Sequence, residues 1–255
     1  MSLPTVDLIE GRAGDDPALD LALAPALLGR VATGARSPLV RVYRPWPTVA
    51  FGRRDSFLPG FAGAAAAARR HGFEPVIRSA GGRAAAYHEE CLVIEEIIAA
   101  SDATSGIQDR FAEEAQSQAR ALRGLGVDAR VGEVAGEYCP GEFSVNARGE
   151  TKLIGAAQRI IGGGWLFSSV VVVRGSARVR AVLEEVYAAL ELDWNPASTG
   201  AVGDERAGTT VGQVQEALLA GLASRYRFNA AELSAEDRAA AGDLLHRHRV
   251  ATPSP

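Results

Sequence analysis

Apolar and polar residues recur along the chain in two periods, one typical of helices and one typical of strands. Apolar residues at helical spacing predict helices over residues 17–31, 61–71, 107–125, 176–192, 211–226 and 234–247. Short apolar or alternating runs bounded by turn residues predict strands over residues 39–43, 48–51, 74–78, 84–87, 91–98, 129–131, 143–146, 152–159 and 165–174. Glu95 and Glu96 leave a helix open as the alternative for 91–98, and residues 250–255 are expected to form a frayed tail.

This order of elements mixes helices with hairpins. It favours an α+β fold, with a largely antiparallel sheet flanked by helices, over a doubly wound parallel sheet. The composition is that of a packed chain, since 47% of the 255 residues are hydrophobic and 23% are charged. The length fits one large domain with or without an appendage. We expect a main domain over residues 1–195 and a C-terminal helical appendage over residues 196–255.

Charge, cysteine content and the N-terminal residues limit where the protein acts. A net charge of -4 argues against duplex nucleic acid as the main ligand. The 2 cysteines cannot form a disulfide framework, and the apolar runs are shorter than the ~20 residues that a bilayer requires. Because the first residues resemble no secretory signal, we expect a cytoplasmic protein that does not contact a membrane.

Several common catalytic and cofactor motifs are missing from the sequence. There is no Walker A loop, G-x-G-x-x-G, C-x-x-C, H-E-x-x-H or G-x-S-x-G. His246 and His248 lie in a predicted helix at a spacing that points their rings apart. We therefore expect no metal site.

Lysine is almost absent from the chain. Of the 27 lysine and arginine residues, only Lys152 is a lysine. A coding bias can replace lysine by arginine at solvated positions, because charges there contribute little to stability in either form. A lysine that remains is expected where a compact ammonium or a movable pKa is required. Chance survival of one surface lysine is the alternative.

Two segments carry candidate chemistry, and the first is the stretch 78–88 between two predicted strands. Its paired glycines, Gly81 and Gly82, allow backbone N–H groups to approach an anion or a carboxylate closely. Arg78 and Arg83 bracket this turn and add positive charge. An ordinary hairpin turn with solvated arginines accounts for the same pattern equally well.

The second segment, 138–159, contains Lys152 and one of the two cysteines, Cys139. An ammonium at the start of a strand can polarise a carbonyl and hold the negative charge that develops on its oxygen, and Gly155 leaves room for a ligand there. A thiol near that charge would have a lowered pKa and would be nucleophilic. The alternative is that the cysteine is a small buried hydrophobe, which is the favoured interpretation for Cys91.

Together the two segments resemble the catalytic domain shared by lipoate-protein ligases, octanoyltransferases and, more distantly, biotin-protein ligases. The family pattern joins an Arg-x-x-Gly-Gly loop that leads to a histidine with a Lys-x-x-Gly-x-x-Gln-Arg strand. Residues 78–88 and 152–159 fit this pattern, and residues 44–52 resemble the strand-turn-strand that precedes it. The resemblance covers about residues 15–190 and implies the α+β fold of that catalytic domain.

The resemblance also implies roles for individual residues. Lys152 would hold the acyl carbonyl or carboxylate oxygen, and Cys139, in a Cys-Pro-Gly segment like that of the amidotransferase branch, would carry the acyl group as a thioester. The reaction would move an octanoyl or lipoyl group from a donor onto a lysine of a lipoyl-carrier domain, with no cofactor and with a monomer as the default state. Substrate contacts would come from Arg78, Ser79, Gly81, Gly82, Arg83, His88, Gly155 and Ala156.

Two other functions stay open at this point. The first is an ATP-dependent lipoate-protein ligase, which would form an acyl-adenylate and require ATP and Mg²⁺. The short region after residue 195, the Cys139 segment and departures such as Glu89 in place of the family's aspartate favour transfer. The second is a non-catalytic relative that binds an acyl or biotinyl ligand as a sensor or scaffold.

Overall fold

Two β-sheets with helices packed against them make up the protein, in a computed structural model that describes residues 2–251. The strands are β1 (Thr5–Glu10), β2 (Leu39–Tyr43), β3 (Thr48–Phe51), β4 (Glu74–Ile77), β5 (Ala85–Tyr87), β6 (Cys91–Ala99), β7 (Ala129–Val131), β8 (Val145–Ala147), β9 (Thr151–Ile161), β10 (Gly164–Val172) and β11 (Arg227–Ala231). The α-helices are α1 (Pro17–Ala32), α2 (Phe61–Arg70), α3 (Ile107–Gly124), α4 (Ser176–Ala189), α5 (Val202–Glu205), α6 (Val211–Leu222) and α7 (Ala235–Leu244).

The larger sheet has eight strands in the order β11-β1-β2-β6-β10-β9-β8-β7. The pairs β11–β1 and β1–β2 are parallel, and every later pair is antiparallel. The valine-rich strand β10 lies between β6 and β9, as its uninterrupted apolar run predicts for a strand buried on both faces. The predicted α+β fold with a largely antiparallel sheet is therefore confirmed.

Helices cover both faces of this sheet because its central strands are apolar on both sides. Along β6, Ile97 packs with α1 and α7, whereas Leu92 and Ile94 pack with α3 and α6. The N-cap of α1 is Asp16, whose carboxylate accepts from the Ala18 N–H, and Pro17 follows it as the sequence predicts. None of the helices between residues 2 and 251 combines the length and the apolar composition that a membrane span requires.

The glycine-rich stretch 78–88 does not form a hairpin turn, because its two flanking strands are not neighbours in the smaller sheet. Its order is β4-β3-β5, with β3 parallel to β4 and antiparallel to β5. The loop after β4 therefore crosses the end of β3 and is not a hairpin turn. Gly52 follows the last residue of β3 and lies against this loop. A Cβ added to Gly52 would clash with the Gly82 carbonyl oxygen. A residue with any side chain at position 52 would displace the loop.

The end regions of the chain differ most from the sequence-based expectation. The strands β1 and β11 were not predicted, and they pair with each other in parallel from Thr5 and Arg227 onward. The expected helix over 211–226 ends at Leu222, and the loop 195–207 contains the short helix α5. The division of the chain at residue 195 stays a prediction. Of the expected tail, residues 252–255 lie outside the described residues.

Candidate active site

A cavity of about 480 Å³ opens where the two sheets meet. Six elements contribute to its lining: the loop after β4, the strand β5, the start of α3, the loop before β8 and the strands β9 and β10. Arg78, Cys139 and Lys152 lie at a polar end, and most of the other lining residues are apolar or glycine. The lining residues are Arg78, Gly81, Gly82, Ala85, Ala86, Ile107, Gln108, Phe111, Tyr138, Cys139, Pro140, Gly141, Glu142, Phe143, Ser144, Lys152, Gly155, Ala156, Ala157, Gln158, Ile160 and Val170.

Cys139 lies at the polar end with donors aimed at its sulfur. Its Sγ accepts from Arg78 Nη2 at 3.2 Å and from the Arg83 backbone N–H at 3.2 Å. The backbone turns through the left-handed region at this residue, with φ at 43°. The Cys139 N–H donates to the Tyr187 hydroxyl at 2.8 Å, and that hydroxyl donates to the Ala84 carbonyl at 3.0 Å. The thiol is therefore held in one orientation by its own backbone and by the loop it faces.

The surroundings of Cys139 favour the thiolate. Burial on its own raises the pKa of this thiol, but the charges of Arg78 and Lys152 and the hydrogen bonds from Arg78 and Arg83 outweigh it, so the pKa lies below the ordinary value. The second cysteine contrasts with it, because burial raises the pKa of Cys91 to about 12. Cys91 therefore fits the structural role expected of it, and Cys139 has the character of a reactive cysteine.

Lys152 opens β9 and is only 2% exposed. Its Nζ donates to the Cys139 carbonyl at 2.8 Å and to the Tyr138 carbonyl at 3.1 Å. Gly155 faces the same side chain, and an added Cβ there would lie 3.0 Å from Lys152 Cε. Burial lowers the pKa of the Lys152 ammonium, against the raising effects of Glu137 and of Cys139. The lone lysine is thus a buried cation that holds the cysteine loop in place.

Glu137 supplies the counter-charge and is the site residue that sequence reasoning missed. It is 3% exposed, and its Oε1 lies 3.6 Å from Lys152 Nζ. The same oxygen accepts from the Gly141 N–H at 2.9 Å and from the Ser144 hydroxyl at 2.7 Å. Its Oε2 has no hydrogen-bond partner among the described residues. The signal in the sequence was an acidic residue two positions before Cys139.

The glycine-rich loop contributes mainly its backbone. Arg78 Nη2 donates to the Arg83 carbonyl at 2.7 Å, which closes the loop on itself. Gly82 has φ at 99°, and an added Cβ there would lie 2.7 Å from the Cys139 sulfur, so a residue with a side chain would push the thiol away. The Arg83 side chain points elsewhere and binds Asp55 at 3.0 Å. One backbone N–H of this loop thus donates to the Cys139 sulfur. The expected approach of the loop to an anion or carboxylate ligand stays a prediction.

Three of the residues expected to bind substrate, Ser79, Arg83 and His88, do not line this cavity. His88 is buried against the Gly175 carbonyl, with 3.4 Å between Nε2 and that oxygen, and it is not among the lining residues. Ser79 lines a smaller neighbouring cavity of about 60 Å³, and its carbonyl accepts from Arg159 at 2.9 Å. The structure therefore brings Lys152, Cys139, Arg78, Gly81, Gly82, Gly155 and Ala156 together at one cavity. Arg83 contacts the Cys139 sulfur through its backbone N–H.

The remaining walls are apolar and aromatic. Phe111 stacks on Phe143 with ring centroids 5.8 Å apart, and it meets Phe167 edge to face at 5.2 Å. The volume and the apolar lining are those of a site for a small, largely aliphatic ligand whose polar end meets Cys139 and Lys152. Across residues 2–251, no group of three or more histidine, cysteine, aspartate or glutamate side chains is placed to hold a metal ion.

The sequence and the fold are those of a known class of protein. Residues 16–219 match the lipoyl protein ligase A/B catalytic domain, and the chain belongs to this family. The resemblance noted in the sequence is thereby confirmed.

Curated relatives carry a more specific name. The chain is 30% identical over 168 residues to the octanoyl-[GcvH]:protein N-octanoyltransferase of Geobacillus kaustophilus, a match that covers 66% of this chain and 59% of the relative. It is 31% identical over 178 residues to the protein of the same name from Anoxybacillus flavithermus, covering 70% of this chain and 60% of the relative. The chain thus spans less than two thirds of the length of these relatives.

Solved structures share the fold over almost the whole chain. A putative lipoate protein ligase from T. acidophilum, solved with bound lipoic acid, has a TM-score of 0.73 at 21% identity, with 95% of each chain covered. A lipoate-protein ligase A bound with ATP has a TM-score of 0.74 at 20% identity, covering 96% of this chain and 95% of that chain. At these identities the likeness establishes the fold alone.

The pKa of Cys139 can be measured through its alkylation. We expect iodoacetamide to label Cys139 at a rate that reaches its plateau at a lower pH than for an ordinary thiol, because the lowered pKa supplies thiolate there. In Arg78→Gln the profile should shift to higher pH, since one cation is lost. Mass spectrometry of the labelled peptides gives the rate at each cysteine, and Cys91 should stay unlabelled. A profile unchanged in Arg78→Gln, with exposed Arg120→Gln as the matched control, would contradict this assignment.

The ion pair behind Cys139 can be tested through stability. Glu137→Gln should lower the free energy of unfolding by about 3 kcal/mol at neutral pH, because it leaves the buried Lys152 ammonium without its counter-charge. Urea denaturation measures the loss, and the exposed neighbour Glu133→Gln is the control. Adding Lys152→Met to Glu137→Gln should cost less than the sum of the two single changes. Equal stability of Glu137→Gln and Glu133→Gln would exclude the pairing.

Proposed function

We propose that this chain is an acyltransferase that moves an octanoyl group from one carrier protein to a lysine of another through a thioester on Cys139. The observation that carries the proposal is the Cys139 thiol, with two N–H donors on its sulfur and a lowered pKa, at the polar end of an apolar cavity. A nucleophile placed in this way suits covalent acyl transfer. The names of the curated relatives, which span more sequence than this chain, support the same reaction.

The proposed reaction has two balanced steps. The Cys139 thiolate attacks the carbonyl carbon of an octanoyl-lysine amide, the C–N bond breaks, and the released lysine amine takes up one proton. The neutral amine of the acceptor lysine then attacks the thioester carbonyl, the C–S bond breaks, and the thiolate leaves while the new amide loses one proton. No bond in this sequence requires a nucleotide, so no cofactor is needed for transfer.

Lys152 is proposed to hold the oxyanion in both steps. Lys152 lines the same cavity as Cys139, and its Nζ donates to two backbone carbonyls. To bind the substrate oxygen it exchanges one of these carbonyls for the developing negative charge, which is the stronger acceptor. Arg78 and the Arg83 N–H, which donate to the thiolate before attack, are placed to stabilise the same region of charge.

The acyl group and the partners follow from the shape of the cavity. An apolar cavity of about 480 Å³ fits a medium acyl chain such as octanoyl, with lipoyl as the alternative that the family allows. The donor and the acceptor are proposed to be carrier proteins of the GcvH type, which the relatives' names contain. Substrate contacts are proposed at the expected residues that line the cavity. The cytoplasmic location and the monomeric state expected from the sequence are part of the proposal.

One experiment separates this function from its alternatives. The chain is incubated with octanoyl-GcvH as donor and an unmodified GcvH-type carrier as acceptor, without ATP, and both the acceptor and the enzyme are weighed by mass spectrometry. We expect octanoylation of the acceptor and a hydroxylamine-labile octanoyl adduct on the enzyme that maps to Cys139. Cys139→Ser should lose both, and Cys91→Ser, the matched control, should keep both.

Other outcomes would replace the proposal. Acceptor modification from free octanoate or lipoate that requires ATP would make the chain a ligase. Octanoyl transfer that survives in Cys139→Ser would remove the thioester route. An acyl group that binds without any covalent product on either protein would make the chain a non-catalytic relative.

Lys152→Arg tests the second residue of the site. We expect kcat to fall by roughly 10²–10³ because an oxyanion donor is lost and because the larger guanidinium does not fit against Gly155. Steady-state transfer assays give kcat, and circular dichroism with urea denaturation verifies that the variant is folded. Turnover close to that of the parent protein would place Lys152 outside the chemistry.

A further inference from the structure

The segment between β3 and α2 exposes an aromatic side chain beside two arginines. We call residues 53–59 the rim segment. Its Phe57 is 75% exposed, and Leu3, at 38%, is the other large hydrophobic residue that is exposed within residues 2–251. A short 3₁₀-helix, Asp55–Phe57, fixes the direction of this side chain. Phe57 is thus the most exposed large hydrophobic side chain of the described residues, and covering it would remove apolar surface from water.

The charge of the rim segment differs from that of the whole chain. Arg53 and Arg54 are both exposed, and neither forms an ion pair with any residue of the described chain. The acidic residue of the segment, Asp55, is fully buried and neutralised by Arg83 at 3.0 Å. The chain has a net charge of -4, so two unpaired arginines beside an exposed ring form a local basic surface on an acidic protein.

Hydrogen bonds connect the rim segment to the loop after β4, which donates to the Cys139 sulfur. Asp55 accepts from the Gly52 N–H at 3.0 Å and from the Arg83 side chain at 3.0 Å. The Arg83 backbone N–H in turn donates to Cys139 Sγ at 3.2 Å. Gly81 and Gly82, which lie between these contacts, are exposed and line the cavity. Through Asp55 and Arg83 the rim segment is therefore held in a fixed position relative to the loop that lines the cavity.

A protein substrate whose lysine enters this cavity must cover its surroundings. Stable protein interfaces bury roughly 800 Å² on each partner, which corresponds to a patch of about 16 Å in radius. The rim segment, joined to the sulfur through Asp55 and Arg83, falls within such a patch. Aromatic residues and arginines contribute most of the binding energy in interfaces. On the Cys139 side of the opening the exposed charged residue is Glu142, so the basic surface faces only one side of an incoming partner.

We propose that Arg53, Arg54 and Phe57 form the docking surface for an acidic face of the carrier protein. This inference rests on the proposed function, since it takes the carrier as the substrate of the Cys139 site. The two guanidinium groups attract and orient acidic residues that lie beside the carrier's lysine, and Phe57 is buried when the complex forms. The surface acts on the encounter and on the affinity for the carrier, and the thioester chemistry is independent of it.

The test compares a large substrate with a small one. The double variant Arg53→Glu/Arg54→Glu and the single variant Phe57→Ala are assayed with a carrier protein of negative net charge. They are also assayed with octanoyl-N-acetylcysteamine, a small thioester that acylates the cysteine directly. We expect KM for the carrier to rise at least tenfold in each variant, whereas the rate of acylation by the small thioester stays within twofold of the parent. The salt dependence of kcat/KM for the carrier should weaken in the double variant.

The matched control reverses the charge at two exposed arginines outside the rim segment. Arg120 on α3 and Arg227 on β11 are exposed, and β11 is the edge strand at the other end of the large sheet from the cavity. The double variant Arg120→Glu/Arg227→Glu should keep the KM of the parent for the carrier. An equal rise in KM in this control would reduce the effect to overall charge and overturn the proposal.

Each of the remaining outcomes either supports or overturns the proposed docking surface. Parent-like KM for the carrier in both rim variants, or a parallel loss with the small thioester, overturns the docking surface. If the parent protein transfers no octanoyl group, the proposed function fails, and direct binding of the carrier to parent and variants by fluorescence anisotropy then tests docking alone. Binding that is lost only in the rim variants supports the surface. Rim-dependent binding of a labelled DNA 20-mer with no binding of the carrier assigns the surface to nucleic acid and overturns the proposal.

Discussion

One buried ammonium group holds the candidate site together. Lys152 donates to the carbonyls of Tyr138 and Cys139, and those carbonyls belong to the backbone that turns through the left-handed region to present the thiol. The ammonium stays charged in this dry position because Glu137 lies behind it. The conformation of the cysteine loop, the polarity of the thiol and the shape of the cavity end all depend on this charge.

The site exists because two sheets of different topology meet there. β9 of the large sheet carries Lys152 and Gly155, whereas the loop that follows β4 of the small sheet carries Arg78 and the paired glycines. A hydrogen bond from Arg159 of β9 to the Ser79 carbonyl also joins the two. The loop of the small sheet supplies the two donors on the Cys139 sulfur, and the large sheet supplies Lys152, which holds the backbone of the cysteine loop.

Local pattern was sufficient for most of the fold, and the errors have physical causes. The apolar run of β10 and the Asp16-Pro17 start of α1 are local signals, and both elements form as expected. The strands β1 and β11 were not predicted because they pair with each other from opposite ends of the chain. In addition, β11 is an edge strand with an irregular burial pattern. The glycine-rich loop was taken for a possible hairpin because no local pattern shows that β3 lies between its flanking strands.

The candidate site was predictable to the extent that residue type is informative. Lys152 and Cys139 stood out because lysine and cysteine are rare in this chain, and Arg78 stood out beside the paired glycines. Glu137 did not, because a loop carboxylate is ordinarily solvated and only the fold shows that it faces an ammonium. His88 fits a family pattern, yet the fold turns its ring toward the Gly175 carbonyl, away from the cavity.

The burial of the single lysine has a consequence for any acyl group carried on Cys139. An activated thioester reacts with whichever free amine reaches it first, and surface lysines are the usual source of such amines in proteins. This chain has just one ε-amine, which is buried and donates hydrogen bonds to two backbone carbonyls, so it is not a free surface amine. Its basic surface is made of guanidinium groups, which are poor nucleophiles because they remain protonated. Under the proposed function, the scarcity of free amines on this chain protects the protein from acylating its own side chains.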